Sequence, residues 1–159
     1  MDPRPESLDL PSVYGKATEP LAWEPVRQRL QEAMNYWLVT IRPDGRPHAV
    51  PSDGMWVDTS WYFGGGPQTV HMRNVAMNPE VVVHIGDGSW AVIVEGRARS
   101  VRPDRTLAER IAEAGQKYDV YGYAPKAEDY LKDGTWAVEA GRVLAWTAFP
   151  TDATRFQIG

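Results

Sequence analysis

The alternation of apolar and polar positions predicts short strands joined by tight turns along most of the chain. The run "YWLVTI" (residues 36–41) is rich in β-branched and aromatic residues, and the pair Asp44-Gly45 that follows is a strong hairpin signal. The chain then returns through a segment interrupted by Pro51 and Gly54, which indicates an edge strand or a bulge. Further strands are predicted over residues 60–65, 80–85, 89–101 and 135–149.

Three segments instead show helical periodicity. Residues 23–34 carry Pro25 in the first turn, residues 69–77 are stopped by Asn78-Pro79, and residues 103–118 are amphipathic. In the third helix, a capping box is predicted between Thr106 and Glu109. Six or so strands in hairpins, with three short helices between them, predict a mainly β, α+β fold: an antiparallel barrel with flanking helices.

The length of 159 residues fits one domain with a sizeable core. Residues 1–22 contain four prolines and no periodicity, so we expect an extended N-terminal arm followed by a single domain over residues 23–159.

Composition narrows the class of protein. The chain is 43% apolar and 24% charged, as in soluble globular proteins. It has no run of about 18 apolar residues and no signal-peptide pattern, so we expect a cytoplasmic protein without membrane contact. The absence of cysteine excludes disulfides and thiolate sites. The net charge of −4 without a basic block argues against nucleic acid as a partner.

Aromatic residues are abundant, with seven Trp and seven Tyr. They are compatible with a wide aromatic core, a dimer interface or a slot for a flat ring, and composition does not choose between these. A cluster of tyrosines over residues 118–130 fits either the mouth of a substrate site or a packed loop.

The segment "FGGGPQTVHMRNVAMNP" (residues 63–79) has two interpretations. It contains neither a P-loop nor a G-x-G-x-x-G motif, so it can be a close-packed glycine turn. Alternatively, Thr69 at a helix N-terminus and Arg73 four residues later share a face, where a hydroxyl, a guanidinium and free amides can bind a phosphate monoester. His71 would add a donor, and the glycines Gly64 to Gly66 would let a flat ring approach. The competing interpretations are a surface imidazole for His71 and an ion pair for Arg73.

The sequence offers no catalytic acid or base. The three histidines lie on separate elements without metal-ligand spacing. Ser52 stands in no G-x-S-x-G elbow, and Asp53 beside it fits a turn better than a catalytic base. This absence agrees with a redox protein whose cofactor carries the chemistry.

The order strand, "PDGRPH" hairpin, strand, "FGGG", "TVHMRN" helix, "NPEVVVHI" strand and "VIVEGRA" strand resembles the pyridoxamine 5'-phosphate oxidase-like family. This is the split β-barrel group of flavin- and deazaflavin-binding proteins, and "RVLAWTAFPTDATRF" is similar to the C-terminal segment of its actinobacterial members. The resemblance spans residues 26 to 156. It implies a split antiparallel β-barrel, a homodimer and a cofactor, FMN or the deazaflavin F-420, bound at the subunit interface.

The resemblance also implies which residues bind the cofactor. Thr69, Arg73 and Asn74 match the phosphate-binding pattern, whereas His71 stands where relatives usually have Lys. The segment "AVPS" corresponds to the backbone that runs along the ring, and a late Trp and Arg, here Trp146 and Arg155, can reach the partner's site in relatives. The implied cofactor-binding residues are Val50, Pro51, Ser52, Gly64, Gly65, Thr69, Val70, His71, Met72, Arg73, Asn74 and Trp146.

Three functions follow from these patterns. The first is an oxidoreductase that transfers a hydride between F-420 or FMN and a small planar organic substrate. The second is a module that binds or carries such a cofactor without turnover, and the third is a cofactor-free dimeric scaffold. The second and third functions are suggested by His71, which stands where relatives usually have Lys.

Overall fold

The computed structural model describes residues 1–159 and contains four α-helices and nine strands. The helices are α1 (Trp23–Glu32), α2 (Val70–Met77), α3 (Arg105–Ala114) and α4 (Ala127–Asp133). The strands are β1 (Pro5–Ser7), β2 (Tyr36–Ile41), β3 (Pro47–Ser52), β4 (Met55–Val57), β5 (Ser60–Phe63), β6 (Glu80–Gly86), β7 (Ala91–Val101), β8 (Thr135–Trp146) and β9 (Thr154–Gln157). Short 3-10 helices cover Ser12–Tyr14 and Gly115–Tyr121.

All strand pairs are antiparallel, in the order β1-β9-β8-β7-β6-β2-β3, with β5 pairing with both β8 and β4. Strand β8 is long enough to take β5 along its first half and β9 along its second half. The sheet therefore splits at β8 and is not closed, which confirms the predicted α+β fold with a split antiparallel barrel. Strand β3 pairs only with β2, so its other edge is free, as Pro51 predicts.

The core lies inside the curved sheet and is strongly aromatic. Trp61 stacks on Phe63 with ring centroids 4.8 Å apart, and Tyr36 packs against Trp61 at 5.2 Å. Trp23 at the start of α1 closes this core against Phe156 of β9. Part of the aromatic content thus serves the interior, as one of the three interpretations of composition expects.

The structure differs from the sequence-based expectations at several elements. β1 lies within the expected arm and pairs with β9, although its sequence "PES" has no apolar alternation. The predicted capping box at Thr106 is wrong: the N-cap of α3 is Asp104, two residues earlier, and its carboxylate accepts a hydrogen bond from the Leu107 amide at 2.8 Å. Asp is favoured there because its charge complements the positive end of the helix dipole.

No helix is both long enough and apolar enough to cross a membrane.

Candidate functional site

A cavity of about 1560 Å³ lies between the β2–β3 hairpin, the end of β3, helix α2 and the chain from the second 3-10 helix to the start of β8. Eight of the sequence-predicted site residues line it, and they lie on β3, on the glycine segment and on α2. These residues are Ser52, Gly64, Gly65, Val70, His71, Met72, Arg73 and Asn74.

The remaining four predicted residues do not line this cavity. Thr69 is exposed at the start of α2, Pro51 is exposed on β3, and Val50 packs partly against the core. Trp146 lies at the end of β8, with its ring centroid 5.5 Å from that of Phe149. Arg155, its predicted companion, forms an ion pair with Glu6 of β1.

The N-terminus of α2 offers free hydrogen-bond donors to the cavity. Thr69 adopts an extended N-cap conformation, but its hydroxyl donates back to the Gly66 carbonyl at 2.8 Å and does not cap the helix. The first amide with a helical acceptor is that of Arg73, so the amides of residues 70–72 have no acceptor within the protein. Unpaired amides at the positive end of a helix bind anions.

Arg73 adds a full positive charge beside these amides. Its side chain is exposed, lines the cavity and takes part in none of the ion pairs of the chain. Arg73 therefore does not form the ion pair that was one of its two interpretations. An unpaired guanidinium with five N–H donors can bind a phosphate group in a bidentate manner.

His71 turns back onto the glycine segment. A Cβ added at Gly65 would lie 2.8 Å from its Nε2, so the absence of a side chain at Gly65 makes room for the imidazole. Burial lowers the pKa of His71, and the nearby His48 lowers it further, while a hydrogen bond with the Gly64 backbone acts in the opposite direction. His71 is therefore predominantly neutral at pH 7 when no anion is near.

The inner face of α2 is attached to the sheet. Met72 and Val75 are buried in the main core, and the buried Asn74 side chain donates to the Thr40 hydroxyl at 3.0 Å. Asn74 thus uses its amide group within the protein, while its surface still contributes to the cavity wall.

The cavity wall beyond the end of β3 is fixed by Tyr118. The Gly54 amide donates to the Tyr118 hydroxyl at 2.9 Å, and this hydroxyl lies 3.0 Å from the carbonyls of both Gly54 and Met34. Ser52 donates to the Asp53 carbonyl, which tightens the same turn. Tyr118, Tyr123 and Tyr130 all line the cavity, and Tyr118 is at the same time fully buried in the second hydrophobic cluster.

Sequence reasoning missed part of this wall. Arg42 and Arg46 at the β2–β3 hairpin, Asp133 at the end of α4 and Trp136 on β8 also line the cavity. The basic residues that flank Asp44-Gly45 were a usable signal, because a hairpin tip next to a phosphate-type motif can add charge to it. Asp133 had no such signal, since α4 was not predicted.

No group of three or more His, Asp or Glu side chains is arranged to hold a metal ion.

Comparisons with known proteins agree with this architecture. The sequence model of the family described as pyridoxamine 5'-phosphate oxidase matches residues 22–146. A comparison with curated proteins gives no significant match. Among solved structures, the conserved hypothetical protein Rv2991 from Mycobacterium tuberculosis is similar, with a TM-score of 0.64 and 19% identity over 82% of this chain and 88% of that one.

Two proteins from Mycobacterium smegmatis share the fold as well. The FAD binding protein has a TM-score of 0.55 and 20% identity over 89% of this chain and 100% of its own. The heme binding protein has a TM-score of 0.64 and 19% identity over 86% of this chain and 59% of its own. At these identities the structures establish likeness of fold alone. The match of the family model over residues 22–146, together with the split antiparallel sheet, shows that the chain belongs to the pyridoxamine 5'-phosphate oxidase-like family.

Proposed function

We propose that the protein is an oxidoreductase that binds FMN or F-420 and transfers a hydride between this cofactor and a small planar organic substrate. The observation that carries the proposal is the unpaired Arg73 beside the free first-turn amides of α2, on the wall of a cavity of about 1560 Å³. Ligand pockets of drug-sized molecules typically occupy about 300–1,000 Å³, so the volume suffices for a three-ring cofactor.

The residues present fit the phosphate and the ring of such a cofactor. The phosphate would be held by the amides of residues 70–72 and by Arg73, with His71 as a further donor. A Cβ at Gly64 would meet no atom within 4 Å, so the cavity wall is open at this glycine and a flat ring can approach it. The free edge of β3 leaves backbone groups near Ser52 available to the ring.

The bound cofactor would supply the hydride chemistry, and the protein would supply position and electrostatics. Arg73 and the α2 amides would orient the cofactor, and the β3 edge would fix the plane of the ring. Tyr118, through its bonds to Gly54, would hold the turn at the far side of the ring. The rings of Tyr123 and Tyr130 would exclude water from the reacting face.

A second candidate is a binding or carrier module without turnover. It is favoured by the lack of a catalytic acid–base pair, by His71 in place of Lys, and by solved relatives described as FAD binding and heme binding proteins. The two candidates share the cofactor site and differ only in catalysis.

A fluorescence titration of the purified protein with FMN and, separately, with F-420 tests the shared site. We expect saturable binding of one of them. Steady-state oxidation of the reduced cofactor by catalytic amounts of protein, in the presence of a panel of quinones and nitroaromatic compounds, then separates the candidates. Binding without turnover supports the carrier, and failure of a folded protein to bind either cofactor contradicts both candidates.

The proposal extends to a homodimer. The register of the sheet aligns Trp37, His84, Ile93 and Leu144 in one row on its outer face, and Trp37 is 45% exposed while it stacks on His84. A second copy covering this row would remove it from water.

Light scattering after gel filtration should give a dimer for the protein and for Tyr121→Lys, an exposed control. Trp37→Lys should give a monomer. A monomeric wild-type protein at micromolar concentration contradicts this part.

A further inference from the structure

The cavity is larger than a usual site for one small ligand. Its volume of about 1560 Å³ exceeds the 300–1,000 Å³ that is usual for a single drug-sized molecule. Its size is thus compatible with a second ligand beside a molecule at the α2 end.

The two ends of the cavity are separated by most of β3. Asn74 of α2 bonds to Thr40, which pairs with His48 near the start of β3, so α2 lies at the hairpin end. Tyr118 bonds to Gly54, just past the other end of β3. From His48 to Ser52 the strand rises by about 13 Å at roughly 3.3 Å per residue. A ligand at the tyrosine end is thus distinct from the phosphate at α2.

Three tyrosine rings converge on this far end. Tyr118 belongs to the second 3-10 helix, Tyr123 to the loop after it, and Tyr130 to α4. Burial raises the pKa of Tyr130, and the neighbouring Tyr123 raises it further, so the Tyr130 phenol is uncharged. Aromatic rings that face one space attract flat and cationic groups through their π-faces.

One of these rings, that of Tyr118, already makes a cation–π contact within the protein. The ammonium nitrogen of Lys117 lies 5.1 Å from the centroid of Tyr118. It donates to the carbonyls of Gln31 and Ala33 and to the Tyr36 hydroxyl, which holds it behind the cavity wall, and it is not part of that wall. Tyr123 is exposed and Tyr130 is half-buried, and neither ring has a cation of the protein over it.

Apart from Lys117 behind it, the charged groups of the cavity wall at this end are carboxylates. Asp53 follows Ser52, and Asp133 lies three residues after Tyr130, hence on the same face of α4. Neither takes part in an ion pair. The three arginines of the cavity wall are Arg42 and Arg46 at the hairpin and Arg73 on α2. Asp44 also lines the hairpin end and pairs with Arg46, so Arg42 and Arg73 leave this end basic, while the other end is acidic.

We propose that the end lined by Tyr123, Tyr130, Asp53 and Asp133 is a second ligand subsite, which receives a flat, positively charged organic group. The rings would stack on the ligand, and the two carboxylates would select its charge. The inference rests on the proposed function in one respect only, namely that this ligand is the substrate of the oxidoreductase. The subsite itself is testable without turnover.

The probe is 1-methylquinolinium, a permanent two-ring cation, compared with neutral quinoline at about pH 7.5, where only the first is charged. Binding is measured calorimetrically on the full chain, both alone and saturated with whichever of oxidised FMN or F-420 binds. We expect the cation to bind at least about tenfold more tightly than quinoline in both forms. Equal affinities would overturn the subsite.

Three variants separate the contributions of ring and charge. Tyr123→Leu should weaken the cation about three- to tenfold, while Tyr123→Phe, which keeps the ring, should not. Tyr123 is exposed and makes no side-chain hydrogen bond, so both variants should fold. The double variant Asp53→Asn/Asp133→Asn should abolish the preference for the cation, and an unchanged preference would overturn the role of the carboxylates. Failure of FMN and F-420 to bind is a separate result, because the probe is also measured without them.

Discussion

The side-chain amide of Asn74 donates a hydrogen bond to the hydroxyl of Thr40, with nitrogen and oxygen 3.0 Å apart and both residues buried. This bond joins the helix that carries the proposed phosphate site to the second strand of the sheet. The position of Arg73, one residue before Asn74, therefore depends on the Asn74–Thr40 hydrogen bond, which the sequence alone does not predict.

Thr40→Val tests this attachment, since valine keeps the shape of threonine and removes the acceptor. The Asn74 amide would then be buried without a partner, which costs about 1–3 kcal/mol of the free energy of unfolding. Denaturant unfolding measures the loss, and Thr40→Ser, which keeps a hydroxyl, should lose less. Equal stability of Thr40→Val and wild type would show that Asn74 finds another partner.

Arg73→Ala should weaken cofactor binding without affecting the fold, because Arg73 is exposed and forms no ion pair. Loss of a charge-assisted bond costs roughly 1.5–3 kcal/mol, or about one to two orders of magnitude in Kd. The matched control is Arg27→Ala on α1, which removes an arginine that pairs with Glu24 outside the cavity. An unchanged Kd for Arg73→Ala would exclude it from the phosphate site.

Much of the fold could be predicted from local patterns. The bounds of β2 coincide with the predicted strand, Gly45 has the positive φ of +85° that a hairpin glycine often adopts, and α2 ends before Asn78-Pro79 as expected. These features depend on residues within a few positions of each other, where propensity and turn chemistry decide the conformation.

The remaining elements depend on distant partners. β1 exists because its backbone pairs with β9, about 150 residues away, and its own sequence has no strand signal. Likewise, the acidic end of the cavity combines Asp53 with Asp133, which only the packing of α4 near the sheet brings to one wall. The proposed phosphate-binding segment could be recognised in the sequence because it is continuous. The residues of the proposed second subsite could not, because they are far apart along the chain.

His71 should make cofactor binding depend on pH. Its pKa lies below the ordinary 6.5 in the free protein because of burial, and a bound phosphate anion would raise it. Binding then takes up a proton, so affinity relative to His71→Asn should increase as the pH falls from about 8 to about 6. The comparison with His71→Asn also cancels the titration of the phosphate monoester of FMN, which has a pKa of about 6.

His71→Lys completes this test, because lysine stays charged throughout the range. We expect tighter binding than wild type at about pH 8 and a smaller pH dependence, both from fluorescence titrations. Parallel pH profiles of wild type and His71→Asn would show that His71 does not contact the phosphate. Without cofactor, the lowered pKa of His71 affects stability instead of binding. The unfolded chain takes up a proton at His71 more readily than the folded protein, so the free energy of unfolding decreases as the pH falls below the ordinary 6.5.

Two glycines of the cavity wall should respond differently to alanine. A Cβ at Gly54 would lie 2.1 Å from Nε1 of the fully buried Trp61, so Gly54→Ala should lower the free energy of unfolding by about 1–3 kcal/mol or more. A Cβ at Gly64 meets no atom within 4 Å, so Gly64→Ala should leave stability within about 0.5 kcal/mol of wild type. Thermal and denaturant unfolding measure both effects.

Cofactor titration of Gly64→Ala then tests the position of the ring. A methyl group at this exposed site would stand where we expect the flat ring to approach the cavity wall, so affinity should fall although the fold is intact. If Gly64→Ala binds FMN or F-420 as tightly as wild type, the ring lies elsewhere in the cavity, and the glycines serve only to accommodate His71 and the turn into α2.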